Sequence, residues 1–351
     1  MPRNSRFFRF PQWRQRAALC LLLAACVPFA HAQQTLRYAG INLAGAEFNS
    51  AKKPGVLFKD YVYPTDADYA YTAAQGMNIV RLPFLWERLQ PQANGPLDTA
   101  QLDALRTAVA RAKRYDLQLI LDVHNYAKYN GVRIGGDAVP AAALADLWRR
   151  LALVFGNDSS VVFGLMNEPN GLASGDWAAI AQAAIDAIRG TGADNLILVP
   201  GTAFSGAHSW NSTWYGVSNA QGLLTVHDPA GNLAFEVHQY LDPDSSGTSA
   251  ACVGTTIGAE RLQGFTQWLR ANGYRGFLGE FGGSSDATCL AALDTMLDYV
   301  HANGDVWLGW TAWAGGAWWR SDYAFNLQPD KSGADKPQMD VLAVRAQQIT
   351  Q

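Results

Sequence analysis

The chain contains 351 residues, of which 49% are apolar and 16% are charged, and its formal net charge is −3. This apolar fraction is large enough for a substantial buried core, so a wholly disordered chain is excluded. No long basic run occurs outside the N-terminus, and we therefore expect no nucleic-acid partner.

Residues 1–32 have the pattern of an export leader. They contain five Arg, no Asp, Glu or Lys, and a nine-residue apolar run that is too short to cross a bilayer as a helix. The AHA sequence at 30–32 is typical of a signal-peptide cleavage site, which predicts a mature domain over 33–351 and a secreted, extracellular protein. Alternatively, the LAAC sequence at 23–26 resembles a bacterial lipobox, in which Cys26 carries a lipid anchor. Both interpretations predict export, and no transmembrane segment is expected.

From residue 38 onward, short apolar runs alternate with helical patterns. The predicted strands are 38–43, 77–82, 118–123, 161–166, 195–199, 234–239, 275–280 and 305–310. The predicted helices are 66–75, 98–115, 139–155, 176–189, 259–272, 285–302 and 337–349. Nearly continuous apolar strands indicate burial on both faces, and their alternation with helices indicates βαβ units. Eight such strands in about 280 residues predict a single (β/α)8 TIM barrel of the α/β class.

The weakest part of this count is the segment 200–233, which has no clear helical pattern. The alternative fold is an open, doubly wound parallel sheet. Such a sheet usually has a Gly-rich phosphate loop after its first strand, and the GINLAGAEF sequence at 40–48 does not fit that pattern. We found no linker or repeat, so we expect one domain.

Two cysteines, Cys252 and Cys289, lie in the predicted domain. Export permits disulfides, and a bridge between these residues would close a loop of about 37 residues, contributing roughly 4 kcal/mol in the chain-entropy description. We interpret the pair as a disulfide, with two free thiols as the alternative.

Polar or aromatic side chains follow six of the predicted strands. They are Arg81 in the second strand, Asp122 and His124 in the third, Asn167 and Glu168 in the fourth, His238 and Tyr240 in the sixth, Glu280 in the seventh, and Trp310 and Trp313 in the eighth. Active sites of TIM barrels lie at the carboxyl ends of the strands. A single Arg or Glu at such a position is often half of an ion pair or a helix cap, but six strand ends of this kind predict an active site.

Glu168 and Glu280 emerge from different strands. Two carboxyl groups in different environments are the apparatus of glycoside hydrolysis, in which one donates a proton and the other attacks carbon or activates water. The sequence has no HExxH, CxxC, G-x-S-x-G or Walker pattern, so we expect neither a metal nor a cofactor. The chain also contains twelve Trp, whose flat rings suit the apolar faces of sugars.

Six motifs in order carry a family resemblance. They are RLPF at 81–84, DVHNY at 122–126, MNEPN at 166–170, EVHQYLD at 236–242, LGEFGG at 278–283 and GWTAWAGG at 309–316. Together they resemble glycoside hydrolase family 5, and within it the subfamily of bacterial and fungal endo-β-1,4-glucanases. The resemblance runs from about residue 38 to residue 349.

The resemblance implies a retaining double displacement, with Glu168 as acid/base and Glu280 as nucleophile. The resemblance also implies residues that support the two carboxyl groups: Arg81 keeps Glu280 ionised, Tyr240 orients Glu280, and His238 supports the acid/base. Other residues are expected to contact the substrate: Asn167 binds the sugar 2-hydroxyl, His124 binds substrate hydroxyls, and Trp313 forms a platform for a sugar ring. His208 and Trp210 are expected in the cleft wall. Family members also pair cysteines at positions that match Cys252 and Cys289.

Of the other Trp residues, we expect Trp86 and Trp318 at the rim of the cleft, and Trp148 and Trp268 in helix packing. The expected partner is a β-1,4-glucan or a cello-oligosaccharide, bound by a monomer. Two alternatives stay open. The substrate is mannan, xyloglucan or mixed-linkage glucan, because barrel motifs fix the mechanism and the loops select the sugar. Alternatively, the barrel binds glycans without catalysis.

Overall fold

The computed structural model describes residues 1–2, 4, 7–9 and 36–350. The chain divides into two units, residues 1–33 and 34–351, and the helices and strands reported below all lie in the second. Cys26 and the predicted cleavage site after Ala32 lie outside the described residues. Among the described residues, no helix combines the length and the apolar character needed to cross a membrane.

Strands and helices alternate along the second unit. The strands are β1 (Tyr38–Leu43), β2 (Ile79–Phe84), β3 (Gln118–Val123), β4 (Lys128–Tyr129), β5 (Val132–Arg133), β6 (Val161–Gly164), β7 (Ile197–Pro200), β8 (Leu233–His238), β9 (Gly276–Glu280) and β10 (Trp307–Gly315). The helices are α1 (Asp66–Ala74), α2 (Trp86–Leu89), α3 (Thr99–Arg114), α4 (Ala141–Phe155), α5 (Ser174–Arg189), α6 (Asn219–Gly222), α7 (Ile257–Asn272), α8 (Ala287–Ala302) and α9 (Pro337–Thr350).

Eight of these strands close into a barrel. Neighbours follow the order β1-β10-β9-β8-β7-β6-β3-β2, and all of these strands pair in parallel, including β1 with β10. The remaining strands, β4 and β5, form a small antiparallel hairpin. The closed barrel confirms the predicted (β/α)8 fold and excludes the open, doubly wound sheet.

The barrel strands are buried on both faces, which is why they appear as continuous apolar runs in the sequence. All six residues of β2, for example, are buried. Inward-facing side chains fill the barrel interior, namely Ile79, Ile120, Val162, Leu196, Leu198, Ala234, Phe277 and Leu308. A larger apolar layer lies between the strands and the surrounding helices. The interior is therefore a packed core, and it supports the site at the carboxyl ends of the strands.

Several strand boundaries differ from the prediction, and two strands, β2 and β10, end at least two residues later than predicted. β2 continues through Pro83 to Phe84, and β10 continues to Gly315, five residues beyond the predicted end. Pro83 fits because it cannot donate to a ladder but still adopts an extended backbone. The longer β10 places Trp313 on a strand instead of on a loop.

The segment between β7 and β8 contains no full helix, as the missing pattern indicated. It has a 3-10 turn at Ala203–Ser205, the single turn α6, and a second 3-10 turn at Leu223–Thr225. The turn at Ala203–Ser205 is left-handed, with positive φ at all three residues. Most of this segment is therefore loop and short turns.

Trp210 lies in that segment, and its predicted position in the cleft wall is wrong. Its side chain is fully buried and packs edge-on against Phe265 and Trp268 of α7 and Phe235 of β8. In the absence of a full helix here, the ring turns inward and fills the space beside the barrel. Trp86 is also fully buried, so it is not a rim residue either.

Other sequence expectations hold. Trp148 and Trp268 are buried in packing between helices and strands, as predicted. Cys252 and Cys289 form a disulfide, and Cys289 lies in the first turn of α8.

Candidate active site

Arg81 is the centre of the polar cluster at the carboxyl ends of the strands. Its side chain, from β2, is 0% exposed and forms ion pairs with Glu280 at 2.7 Å, Asp122 at 3.1 Å and Glu236 at 3.1 Å. Burial lowers the pKa of Arg81, but the charges of Asp122, Glu236 and Glu280 raise it above its ordinary value. The guanidinium therefore stays charged and balances several buried carboxylates.

Glu280 is the last residue of β9, and both of its oxygens have donors. Arg81 Nη1 donates to Oε1 at 2.7 Å, and the Tyr240 hydroxyl donates to Oε2 at 3.1 Å. His238 Nδ1 lies 3.6 Å from Oε2. These contacts stabilise a carboxylate at this position, as the sequence analysis expected of Arg81 and Tyr240.

Glu168 lies on the other side of the cluster, just after β6. Its backbone is in the left-handed region with φ of 43°, which is uncommon for a residue other than Gly and concentrates at functional sites. His238 Nδ1 lies 2.8 Å from Glu168 Oε1, a distance at which it can donate to this carboxyl group. Unlike Arg81, the Glu168 side chain is partly open, with 17% of its surface exposed.

His238 joins the two sides of the site. Its Nε2 lies 3.3 Å from Glu236 Oε1 while Nδ1 contacts Glu168. Burial lowers the pKa of His238, but the charge of Glu280 and the hydrogen bonds to Glu168 and Glu236 raise it to about 10. The raised pKa favours the imidazolium form, in which both nitrogens donate to the neighbouring carboxylates.

Glu236 is a site residue that the sequence analysis did not select. It is fully buried in β8, two residues before His238, and contacts both Arg81 and His238. Gly279 makes room for it, because a Cβ at that position would lie 2.0 Å from Glu236 Oε1. The available signal was an acid inside a buried strand on the same face as His238.

Among the described residues, Glu168, His238 and Glu280 form the one cluster of His, Cys, Asp or Glu whose ligand atoms are close enough to hold a metal ion. One such atom from each lies within 4.8 Å of the others. Both His238 nitrogens already contact carboxylates, Nδ1 with Glu168 Oε1 at 2.8 Å and Nε2 with Glu236 Oε1 at 3.3 Å. This donor set suits proton transfer and hydrogen bonding better than metal ligation.

His124 and Trp313 form a second part of the site. Their rings stack with centroids 5.9 Å apart, and the Trp313 Nε1 group donates to the Tyr323 hydroxyl at 3.0 Å. His124 Nδ1 lies 2.8 Å from Asp122 Oδ2, so these two residues lie on the same face of the chain. Burial lowers the pKa of His124, but the hydrogen bond and charge of Asp122 raise it above its usual value.

Glu47 lies in the loop after β1, and its carboxyl group interacts electrostatically with His124 and Asp122. Burial raises the pKa of its carboxyl to about 7, although the charge of His124 and a hydrogen bond from the Gly45 amide lower it. Its Oε1 is buried without a hydrogen-bond partner among the described residues. This places a further titratable carboxyl next to the site.

A cavity of about 470 Å³ opens beside Glu168 and His238. His208, which was predicted in the cleft wall, and Tyr240 both line this cavity. Four further aromatic residues line it as well, namely Tyr126, Phe204, Trp214 and Tyr215. Three of these come from the irregular segment 200–233, where sequence periodicity gave no signal for their placement.

Comparisons with known proteins agree with this geometry. A family model described as cellulase (glycosyl hydrolase family 5) matches residues 39–316. Endo-beta-1,4-glucanase A of Emericella nidulans is 36% identical over 326 residues, which cover 93% of this chain and 97% of the relative. Among solved structures, an endo-beta-1,4-glucanase from Xanthomonas axonopodis pv. citri matches with a TM-score of 0.89 and 57% identity, covering 90% of this chain and 100% of that one. XacCel5A in complex with cellopentaose matches with a TM-score of 0.88 and 61% identity, covering 88% and 99%. The chain belongs to glycoside hydrolase family 5 and is a glycoside hydrolase.

Proposed function

We propose that this chain is an endo-acting β-1,4-glucanase that cleaves internal bonds of cellulose chains with retention of configuration. The observation that carries the mechanism is the short distance between the two carboxyl groups. One carboxylate oxygen of Glu168 lies within 4.8 Å of one carboxylate oxygen of Glu280, so the two groups approach each other closely and this supports the shorter, retaining separation. Retaining enzymes hold their carboxyl groups about 5–5.5 Å apart, whereas inverting enzymes need about 6.5–9.5 Å to admit water.

In the first step, Glu280 attacks the anomeric carbon while Glu168 protonates the departing glycosidic oxygen. Because His238 donates to Glu168 Oε1, the transferable proton resides on Oε2. The bond to the leaving sugar breaks, and an ester forms between the anomeric carbon and Glu280. Arg81 and Tyr240 hold the Glu280 carboxylate in place for this attack.

In the second step, Glu168 takes a proton from water, and the resulting hydroxide oxygen attacks the same carbon. The ester bond breaks and Glu280 leaves as a carboxylate. Two inversions give net retention, and Glu168 regains the proton that it donated. No external acid or base is needed.

Asn167 is placed to hold the sugar at the cleavage point. Its Oδ1 accepts from Arg81 at 2.9 Å, whereas its buried Nδ2 has no partner among the described residues. A buried donor without a partner costs free energy, and a sugar 2-hydroxyl would supply the missing acceptor. Trp313 presents a ring beside His124 as the platform for that sugar. His124 Nδ1 contacts Asp122, and Nε2, which lies 3.3 Å from the Tyr126 hydroxyl, is the nitrogen left to bind substrate hydroxyls together with Tyr126.

The substrate assignment draws on the relatives, whose names describe endoglucanases and a cellopentaose complex. A panel of soluble cellulose derivative, mannan, xyloglucan and mixed-linkage glucan, with reducing ends measured, tests it. We expect the highest kcat/KM on a β-1,4-glucan and an early fall in viscosity, because an endo-acting enzyme cuts inside chains. Higher activity on mannan or xyloglucan would reassign the substrate, and binding without release of reducing ends would indicate a glycan-binding barrel.

A trapped intermediate tests the mechanism. We expect a 2-deoxy-2-fluoro cellobioside with a good leaving group to inactivate the enzyme and to leave a glycosyl group on the peptide that contains Glu280, located by mass spectrometry. Glu280→Gln should abolish both hydrolysis and labelling while the circular dichroism spectrum stays unchanged. A product of inverted anomeric configuration would overturn the assignment of Glu280.

We also propose export of the domain at 33–351 as a monomer. The basic, apolar and small-residue pattern of residues 1–32 supports it. Intact-mass measurement of the exported protein distinguishes cleavage after Ala32 from a mature N-terminus with a lipid on Cys26. Protein that retains residues 1–32 and stays inside the producing cell would contradict both. Light scattering of the purified protein tests the monomer.

A further inference from the structure

The loop at 242–252, here named the β8 loop, follows the strand end that carries His238 and Tyr240. Its first residue, Asp242, is 2% exposed, and its carboxylate organises the turn that follows. The donors to this carboxylate are the amides of Gly247 at 3.1 Å, Thr248 at 3.1 Å and Ser249 at 3.2 Å, and the Ser246 hydroxyl at 3.2 Å. One buried carboxylate thus fixes the backbone over several successive residues.

The β8 loop is also fastened to the outer helices. Arg261 of α7 donates to the carbonyls of Tyr240 and Asp242, both at 2.8 Å. At the other end of the loop, Cys252 is bonded to Cys289 of α8. The loop is therefore held at its beginning, its turn and its end.

This fixed loop packs directly on Tyr240. Gly247 has φ of 70°, and a Cβ at this position would lie 2.8 Å from three ring carbons of Tyr240. Phe325 stacks near the same ring, with centroids 5.8 Å apart. The backbone of Gly247 and the Phe325 ring confine the Tyr240 ring, whose hydroxyl donates to Glu280 Oε2.

We propose that Gly247 and Asp242 are positioning residues for the reaction, because they hold the Tyr240 hydroxyl against Glu280 Oε2. Neither residue contacts Glu280 or the anomeric carbon in this mechanism. Gly247 is required because its backbone touches the ring where a side chain would displace it, and Asp242 is required because it fixes the turn that contains Gly247. The inference rests on the proposed role of Glu280 as nucleophile.

The test substitution is Gly247→Ala, with Gly273→Ala as its matched control. Gly273 ends α7 with φ of 68°, and a Cβ there meets no atom within 4 Å. Both substitutions impose the same backbone cost, but Gly247→Ala also displaces Tyr240. We expect Gly247→Ala to lower kcat and the rate of inactivation by the fluoro cellobioside by about tenfold or more, with KM within about threefold of wild type. Gly273→Ala should keep wild-type rates.

A double-mutant cycle with Tyr240→Phe separates positioning from general damage. If the β8 loop acts through the Tyr240 hydroxyl, Gly247→Ala should have little further effect on the inactivation rate in the Tyr240→Phe background. Additive losses, or equal rates for Gly247→Ala and Gly273→Ala, would overturn the proposal.

Asp242→Asn provides an independent test of the β8 loop in case Gly247→Ala folds poorly. It keeps the shape of the side chain and one acceptor oxygen, so we expect a smaller fall in the inactivation rate, also absent in the Tyr240→Phe background. An unchanged rate in Asp242→Asn contradicts the role of Asp242. If wild-type protein carries no label on Glu280, the proposed function fails instead, which keeps the two failures distinguishable.

Discussion

At the scale of single residues, the site depends on the buried guanidinium of Arg81 among several buried carboxylates. Arg81 contacts Glu280, Asp122 and Glu236, and it also donates to the side-chain oxygens of Asn42 and Asn167. The planar guanidinium can serve several acceptors in one plane, which a lysine ammonium on a flexible stem cannot do. Removing it would leave buried charges without a partner.

We expect Arg81→Lys to lower kcat by about 100-fold, because a donor to the reacting carboxylate is lost or displaced. It should also lower the free energy of unfolding by about 3 kcal/mol, as for a broken buried ion pair. Activity assays and urea unfolding measure the two effects. Arg270→Lys is the control, because the Arg270–Asp305 pair at 2.7 Å is exposed and should contribute less than about 1 kcal/mol. Equal losses in both variants would contradict the role of Arg81.

Glu47 predicts a pH-dependent stability. Burial raises its folded-state pKa to about 7 from an ordinary 4.5, so the unfolded chain loses this proton at lower pH than the folded chain does. The contribution of Glu47 to stability is therefore fully present below pH 4.5 and falls as the pH rises toward 7, by about 3 kcal/mol in total.

Glu47→Gln removes this titration. Measured by urea unfolding, the variant should gain stability relative to wild type between pH 4.5 and pH 8, while the exposed Glu260→Gln serves as the control. A stability difference between Glu47→Gln and wild type that stays constant with pH would show that the Glu47 carboxyl is not responsible.

At the scale of elements, two departures from regular structure build the cleft. β10 continues past residue 310 and carries Trp313 beside His124, and the segment between β7 and β8 replaces a helix with short turns. The left-handed turn at Ala203–Ser205 leaves Phe204 exposed at the cavity. Apolar periodicity reports burial, and the segment between β7 and β8 is partly exposed, so its pattern was weak.

Trp313→Ala should raise KM for cello-oligosaccharides and lower kcat/KM by about tenfold or more, because the sugar loses the apolar surface on which it lies. Trp313→Phe keeps a flat ring and should lose less. Steady-state kinetics on a soluble oligosaccharide give both values. A Trp313→Ala variant with wild-type kcat/KM would show that Trp313 does not bind the substrate.

The Cys252–Cys289 disulfide links the β8 loop to α8. Replacing both cysteines by Ser should lower the free energy of unfolding by about 4 kcal/mol, because the unfolded chain regains the entropy of a loop of 37 residues. Urea unfolding of wild type with and without a thiol reductant should show the same difference, and the double variant should not respond to the reductant. If the reductant also lowered the stability of the double variant, the effect of the reductant would not come from the Cys252–Cys289 disulfide.

At the scale of the whole molecule, closure of the barrel brings distant parts of the chain together. Arg81 and Glu280 are 199 residues apart in sequence, and Asn42 of β1 donates to the carbonyl of Gly279 in β9. The carboxyl ends of parallel strands meet at one end of the barrel, so residues that follow different strands share one site. The local sequence around each of these residues does not predict these contacts.

The sequence alone predicted the order of the barrel strands and of the long helices, the barrel and the two carboxyl residues. Buried parallel strands give long apolar runs, and most of the selected side chains lie at or near the carboxyl ends of these runs. Only the tertiary structure decided which side chains face the cleft. Trp210 and Phe204 lie six residues apart in the same irregular segment, yet the first is buried against α7 and the second is exposed at the cavity. Glu236 likewise belongs to the site only because the fold places Arg81 of β2 and His238 of β8 in contact with it. The direction in which a side chain points and the residues that it contacts depend on packing between segments distant in sequence, so no local sequence pattern predicts them.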